Sequence, residues 1–229
     1  MDVSFFSDRA DAGRRLAERL LEYENKDAVV LAIPRGGLPV GFEVARRLHA
    51  DLDVIIPRKI PIPWNPEAGF GAVAADGTIV LNQSMVGALG LTGDEIEQAA
   101  EEVRREIVRR TSEYRGDTPP ADMHGKPVIL VDDGLASGYT MLAAVESLKK
   151  HNPSRVVVAV PVASRGAARL VRPKVDELVA LIVSEQLPFA VANFYARWVD
   201  ISDEEVVSYL DRAEEFAPRN AKSHVTGDG

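Results

Sequence analysis

Two adjacent carboxylates, Asp132 and Asp133, stand at the end of the apolar run 128–131, and almost no side chain follows them. Gly134 and Gly138 permit turns and close approach, Ala136 and Ser137 are small, and Thr140 offers a hydroxyl. Neighbours along a strand point to opposite faces. The pair is therefore poorly placed to grip one ion as twin ligands, and better placed to accept hydrogen bonds from two neighbouring hydroxyls such as those of a ribose. Backbone N–H groups at a helix start form an anion cradle that the helix dipole reinforces. Hydroxyl acceptors beside such a cradle fit a ribose 5-phosphate. A polar turn closing a strand would account for Asp-Asp-Gly alone, but not for the whole succession.

Two further stretches carry cations. LAIPRGG at 31–37 ends an apolar run with Arg35, Gly36 and Gly37. The glycines let amides approach an anion, and the Arg35 guanidinium can take two phosphate oxygens at once. A plain Gly-Gly turn before a helix is the competing reading. Residues 58–82 are rich in Pro and Gly, open on Arg58 and Lys59, and contain the hairpin signal Asp76-Gly77. They suit a flap, an arm between two copies of the chain, or both.

The elements that must position these groups alternate. Apolar runs at 28–33, 51–57, 127–132, 156–162 and 175–183 read as strands, separated by helical patterns: one with Gly41, Val44, Ala45 and Leu48 together, one opened by Thr92 with Ile96, Ala100, Val103, Ile107 and Tyr114 on one stripe, one at 138–150 and one near 165–172. Ser7 is expected to cap a first helix with Gly13, Leu16, Ala17 and Leu20 on one face. Thr92 with Glu95, and Ser202 with Glu205, have the spacing of capping boxes. The fold class is α/β: a parallel twisted sheet with helices on both faces, carrying a hairpin flap and a small hood. We expect residues 1–27 to supply a helix to the hood, 28–185 the core, 186–216 the rest of the hood, and 217–229 a disordered tail.

The bulk properties narrow the function. A formal net charge of −8 argues against a general nucleic-acid or anionic-membrane surface, while leaving room for a small cationic pocket. The clusters Arg14-Arg15, Arg46-Arg47 and Arg104-Arg105 lie beside acids at helical spacings and read as solvated faces. The chain has no cysteine, hence no disulfide frame, thiolate metal site or Cys nucleophile. It has no membrane-length apolar run and no secretory pattern at its start, so a cytoplasmic protein is expected. G-x-G-x-x-A at 69–74 is followed by a hairpin signal instead of a helix, which removes it as a dinucleotide fingerprint. No P-loop glycine-lysine motif accompanies the acidic strand, Ser137 lacks a nucleophile elbow, and the four histidines are isolated.

VILVDDGLASGYTM at 128–141 resembles the phosphoribosyl pyrophosphate signature of the type I phosphoribosyltransferases. The resemblance covers about residues 7–212 and is similar to a group of bacterial members without a settled nucleobase. It implies that Asp132 and Asp133 hold the ribose hydroxyls, and that Gly134, Leu135, Ala136, Ser137, Gly138, Tyr139 and Thr140 hold the 5-phosphate. Arg35, Gly36 and Gly37, with Arg58 and Lys59 from the flap, would bind pyrophosphate. A non-proline cis peptide is expected near Arg35-Gly36. Mg²⁺ is implied as cofactor, met by Asp132 or Asp133 directly or through water.

Hypoxanthine-guanine enzymes of that family carry a base-directed Asp where this chain has Ala136, so that role has no owner in the loop. Adenine-type enzymes also carry Ala there, with help from an acid of the flap. Glu67 is the sole acid between Arg58 and Asp76 and takes that place here. The implied catalytic set is Lys59, Glu67 and Asp133, with a base pocket from Phe189, Phe194 and Tyr195 and a further ring at Trp198. The partners are phosphoribosyl pyrophosphate and a nitrogenous acceptor, in a homodimer. The alternative is a regulator that binds phosphoribosyl pyrophosphate without turnover.

Overall fold

The computed structural model describes residues 5–62, 64–116 and 118–217, with the side chains of Pro66 and Glu67 outside the described set. Five strands form a parallel sheet: β1 (Val29–Ala32), β2 (Asp51–Val54), β6 (Pro127–Val131), β7 (Arg155–Ser164) and β8 (Glu177–Ser184), in the order β2-β1-β6-β7-β8. Three more, β3 (Arg58–Ile62), β4 (Asn65–Val73) and β5 (Ile79–Leu81), form a separate antiparallel sheet. The helices are α1 (Arg9–Ala17), α2 (Gly37–Leu48), α3 (Gln83–Leu89), α4 (Gly93–Arg115), α5 (Tyr139–Lys149), α6 (Arg165–Val171) and α7 (Asp203–Ala213).

Successive residues of the parallel strands face opposite sides, and both sides are apolar. Val29, Leu31, Val128, Leu130, Val156 and Val158 pack under Met141, Val145 and Leu148 of α5 and Ala167 of α6. Val30, Ile129, Val131, Val157 and Ala159 pack under Leu16 of α1 and Val40 and Val44 of α2. Burial on both faces explains why these strands read as continuous apolar runs instead of alternating ones. Gly13 lets α1 close on α2, since a Cβ there would sit 2.7 Å from the Val40 carbonyl oxygen.

From β1 the chain moves outward to β2 on one side, while β6 lies on the other side in register, with Ala32 opposite Val131. The strand order reverses between β1 and β6, and the crevice at such a point, outside the carboxyl ends of the strands, is where open α/β sheets bind ligands. The LAIPRGG turn and the two acids both emerge there.

The expected capping boxes are present: Thr92 and Ser202 accept from the amides of Glu95 and Glu205, whose side chains reach back. Thr92→Ala should lower stability by about 1 kcal/mol through loss of this cap, read as a fall in the urea midpoint at unchanged slope. The first helix is capped by Asp8, not Ser7; the Asp8 carboxylate accepts from the Asp11 amide, the better geometry for a side chain one residue nearer the helix. The second strand ends at Val54 instead of running to 57, although the Ile55 amide still donates to the Ala32 carbonyl at 3.1 Å, and β3 opens at Arg58. The short helix α3 has no counterpart among the helical patterns of the sequence.

Asp76-Gly77 does turn the chain between β4 and β5, with Gly77 at φ +81 and the Asp76 carboxylate accepting from the Thr78 amide at 3.0 Å. Residues 69–73 of the rejected dinucleotide motif lie in β4. Gly71 is needed for strand approach, as a Cβ would meet the Val80 carbonyl at 2.6 Å. Residues 218–229 of the expected tail lie outside the described residues.

Candidate active site

A cleft of about 520 Å³ opens at the β1–β6 switch, lined by the turn after β1, the start of β3, part of α4 and residues 132–138. Side-chain caps are distributed tellingly around it. Asp8, Asn82, Thr92, Ser164 and Ser202 cap α1, α3, α4, α6 and α7. The two α-helices of the described residues without a side-chain cap, α2 and α5, are preceded at their N-terminal cap positions by Gly36 and Gly138, both of which line the cleft.

Around α5 the loop is held by one residue. The Leu135 amide donates to the Val162 carbonyl and its carbonyl accepts from the Ser164 amide, each at 2.8 Å, while its side chain is buried in the core. Leu135 is thus an anchor whose N–H is already bonded. Past it, among the described residues, the amides of 136–141 donate to no protein acceptor; the first intrahelical bond is Leu142 to Gly138. Gly138 sits at φ +87, a conformation that turns the chain into the helix and that other residues adopt at a cost. Tyr139 opens α5 without lining the cleft, whereas Thr140 lines it.

The acids share the cleft with this cradle. Both Asp132 and Asp133 line the same cleft, so the alternation expected of strand neighbours does not apply: β6 ends at Val131 and the pair sits on the turn beyond it. The Asp132 carboxylate accepts from the Asp133 amide at 2.8 Å. Burial pushes the Asp132 carboxyl well above the usual carboxylate range, and the adjacent Asp133 charge adds to this. Burial also raises Asp133, against the pull of the Arg9 guanidinium beside it.

Arg9 is the residue that sequence reasoning missed. Its Nε donates to Asp133 Oδ2 at 2.8 Å and its Nη1 to the Val199 carbonyl at 2.6 Å, and its guanidinium lies 3.7 Å over the Trp198 ring. The Tyr195 hydroxyl donates to the Asp133 backbone carbonyl at 2.6 Å. These contacts arise because the two ends of the chain pair: Phe6 bridges Tyr195, and the Ala196 and Arg197 amides donate to the Phe6 and Ser7 carbonyls.

After β1, the Pro34–Arg35 peptide is cis, one bond before the place expected. Gly36 packs so closely on Asp133 that a Cβ would fall 1.9 Å from its Oδ2. The Gly37 amide is bonded to the Ile33 carbonyl, while those of Arg35 and Gly36 have no partner among the described residues. Arg58 and Lys59 line the cleft from β3, and Arg110 and Tyr114 from α4. Arg58 pairs with Glu106 at 2.8 Å. Of the aromatic set, Phe194 and Tyr195 are buried, and neither they nor Phe189 line the cleft. The Glu67 side chain lies outside the described residues.

Residues 6–192 match the phosphoribosyl transferase domain. The chain belongs to that family. It is 39% identical over 220 residues to a provisionally named phosphoribosyl transferase of Mycobacterium tuberculosis, a match covering 96% of this chain and 49% of that protein. The chain therefore spans about half the length of the curated relatives it matches. The crystal structure of TT1426 from Thermus thermophilus is 39% identical, superposes with a TM-score of 0.77, and covers 93% of this chain and 99% of that one. The AQ2163 protein of Aquifex aeolicus shares the fold at a TM-score of 0.52 and 15% identity, covering 82% of this chain and 85% of its own. Within this phosphoribosyl transferase fold, the signature acids and the loop after β1 line a single crevice, and no helix among the described residues is long and apolar enough to cross a membrane.

Proposed function

We infer that the protein transfers a 5-phosphoribosyl group from phosphoribosyl pyrophosphate to a nitrogenous acceptor, a nucleobase or a related ring, with release of pyrophosphate. The observation that carries this reading is the run of amides at 136–141, unpartnered among the described residues, in the same cleft as a half-buried carboxylate pair, in a chain of the phosphoribosyl transferase family. The 5-phosphate would sit on the amides of 136–141 at the start of α5, and Asp132 and Asp133 would accept from the ribose hydroxyls. Leaving pyrophosphate would meet the Arg35 and Gly36 amides, the Arg35 guanidinium and Lys59. Attack by nitrogen at the anomeric carbon builds positive charge on the sugar and negative charge on the departing group. The protein's work is then to hold, neutralise and exclude water.

Mg²⁺ belongs to the same reading. Among the described residues no third His, Cys, Asp or Glu joins the acids in a metal-sized group, so the described residues offer at most two carboxylates there. That donor set fits an ion that takes one or two carboxylates and completes its shell with waters and substrate oxygens. When bound, it would neutralise charge on the substrate phosphates. The reading places the reaction in the cytoplasm, in keeping with a cysteine-free chain, and leaves the acceptor to be found by assay.

Calorimetric titration with phosphoribosyl pyrophosphate should give binding that requires Mg²⁺ and is competed by ribose 5-phosphate. A panel of nucleobases should then release pyrophosphate with at least one. Binding without turnover across the panel would favour a sensor of the activated sugar, and no binding at all would overturn the reading.

A further inference from the structure

The part of the cleft lined by α4 has a charge arrangement that the reading above does not use. Arg110 and Tyr114, both on α4, line it. The helix bearing them is fixed by a buried bidentate pair, in which Arg115 Nε and Nη2 donate to the two Asp53 oxygens at 2.9 Å and Nη2 also to the Val54 carbonyl at 2.8 Å. Asp203, in the first turn of α7, reaches this wall from the other end of the chain. It accepts a hydrogen bond from the Tyr114 hydroxyl, and its carboxylate lies 3.7 Å from Arg35 Nη1 and 4.0 Å from Arg110 Nη1. Those two separations are too long for hydrogen bonds, so both guanidinium forks are attracted to Asp203 without being satisfied by it. Arg110 Nε pairs with Glu106 at 3.1 Å, the same carboxylate that holds Arg58.

We propose that Arg110 and Tyr114 form a further phosphate-binding wall for the pyrophosphate end of the substrate, and that Asp203 is a built-in competitor occupying this wall's charges until a phosphate group replaces it. The inference rests on the reading above and deepens it. Two carboxylates, Asp203 and Glu106, face three guanidinium groups, those of Arg35, Arg58 and Arg110, and the surplus is positive. A phosphate offers each fork two oxygens at hydrogen-bond distance, which one carboxylate at 3.7 to 4.0 Å does not. Asp203 is half exposed and terminal on its helix, so it can swing to solvent as phosphate enters. The arrangement keeps the cationic wall ordered when empty and weakens its hold on product pyrophosphate.

The competitor and a merely structural acid predict opposite signs. Titration with inorganic pyrophosphate in Mg²⁺ should show Asp203→Asn binding several-fold more tightly than the unmodified protein, since a negative charge is removed while an amide oxygen remains for Tyr114. Arg110→Gln should bind about tenfold more weakly or worse, and Tyr114→Phe a few-fold more weakly. Ribose 5-phosphate, held at the other end of the cleft, should bind all of them alike. Weaker pyrophosphate binding by Asp203→Asn overturns the competitor role. Unchanged binding by Arg110→Gln, in a variant whose ribose 5-phosphate affinity shows it folded, overturns the wall. Either result leaves the transferase reading standing. If the unmodified protein binds neither ligand, that reading and this inference fall together.

Discussion

Alanine at position 36 is expected to abolish binding of phosphoribosyl pyrophosphate in a chain that still folds. Gly36 has φ −62 and ψ −31, values that alanine adopts without strain, so conformational freedom is not why glycine stands there. Space is. A Cβ would lie 1.9 Å from Asp133 Oδ2 and 2.7 Å from its Cγ, with Arg9 Nε 3.3 Å away. The Asp133 carboxylate must move, and moving it breaks its bond to Arg9 and withdraws the acceptor proposed for a ribose hydroxyl. A charge-assisted hydrogen bond lost in a buried site is worth about 1.5–3 kcal/mol, so roughly a ten- to hundredfold loss of affinity follows from that contact alone. The intruding methyl also stands beside the Arg35 and Gly36 amides, which takes the expected loss beyond calorimetric detection. The disturbance is confined to the cleft, and cooperative thermal unfolding should persist. Gly87→Ala, in α3 where a Cβ meets nothing within 4 Å, is the matched control and should bind normally. A Gly36→Ala protein binding within threefold of the original would show that Asp133 is not held where the fold places it.

The parts legible in the sequence were those set by local rules. Continuous apolar strands announced a sheet covered on both faces, and the cap pairs Thr92/Glu95 and Ser202/Glu205 mark helix starts whose partners lie three residues away. The acids and the glycine loop were legible because their order along the chain carries the chemistry. Arg9 was not, because its partner is 124 residues distant and a first-turn arginine on an amphipathic helix looks like any solvated one. The same holds for Arg110, one of many charged residues on α4 until the fold turns it toward the cleft. Leu135 shows a subtler limit: composition marks it as part of a phosphate loop, yet only the pairing with Val162 shows that its amide is already engaged. The aromatic segment is the plainest case. Flat rings suggest stacking on a base, but Tyr195 bonds the Asp133 carbonyl and Trp198 covers Arg9, so both rings brace the acids from behind.

That bracing has a measurable signature in Arg9→Met. Methionine keeps a long apolar stem but leaves Asp133, whose side chain is only 15% exposed, without its cation. Breaking a buried pair from one side is strongly destabilising, and at neutral pH a loss of about 3 kcal/mol is expected. The sign with pH follows from Asp133 itself. Burial already raises its carboxyl in the folded state and Arg9 restrains that rise, so removing Arg9 moves it further up. A carboxyl raised on folding withdraws stability as pH climbs above its unfolded value, and the penalty vanishes once acid protonates it in both states. The gap between the two proteins should therefore be widest near pH 7 and close toward pH 4, to about the 1 kcal/mol carried by the lost cation–π contact with Trp198. Arg9→Lys, which restores charge without the fork that also reaches the Val199 carbonyl, should fall between them. Urea midpoints at the two pH values measure this directly. A gap that does not change with pH would mean that Arg9 contributes packing alone, and that Asp133 keeps its charge by other means.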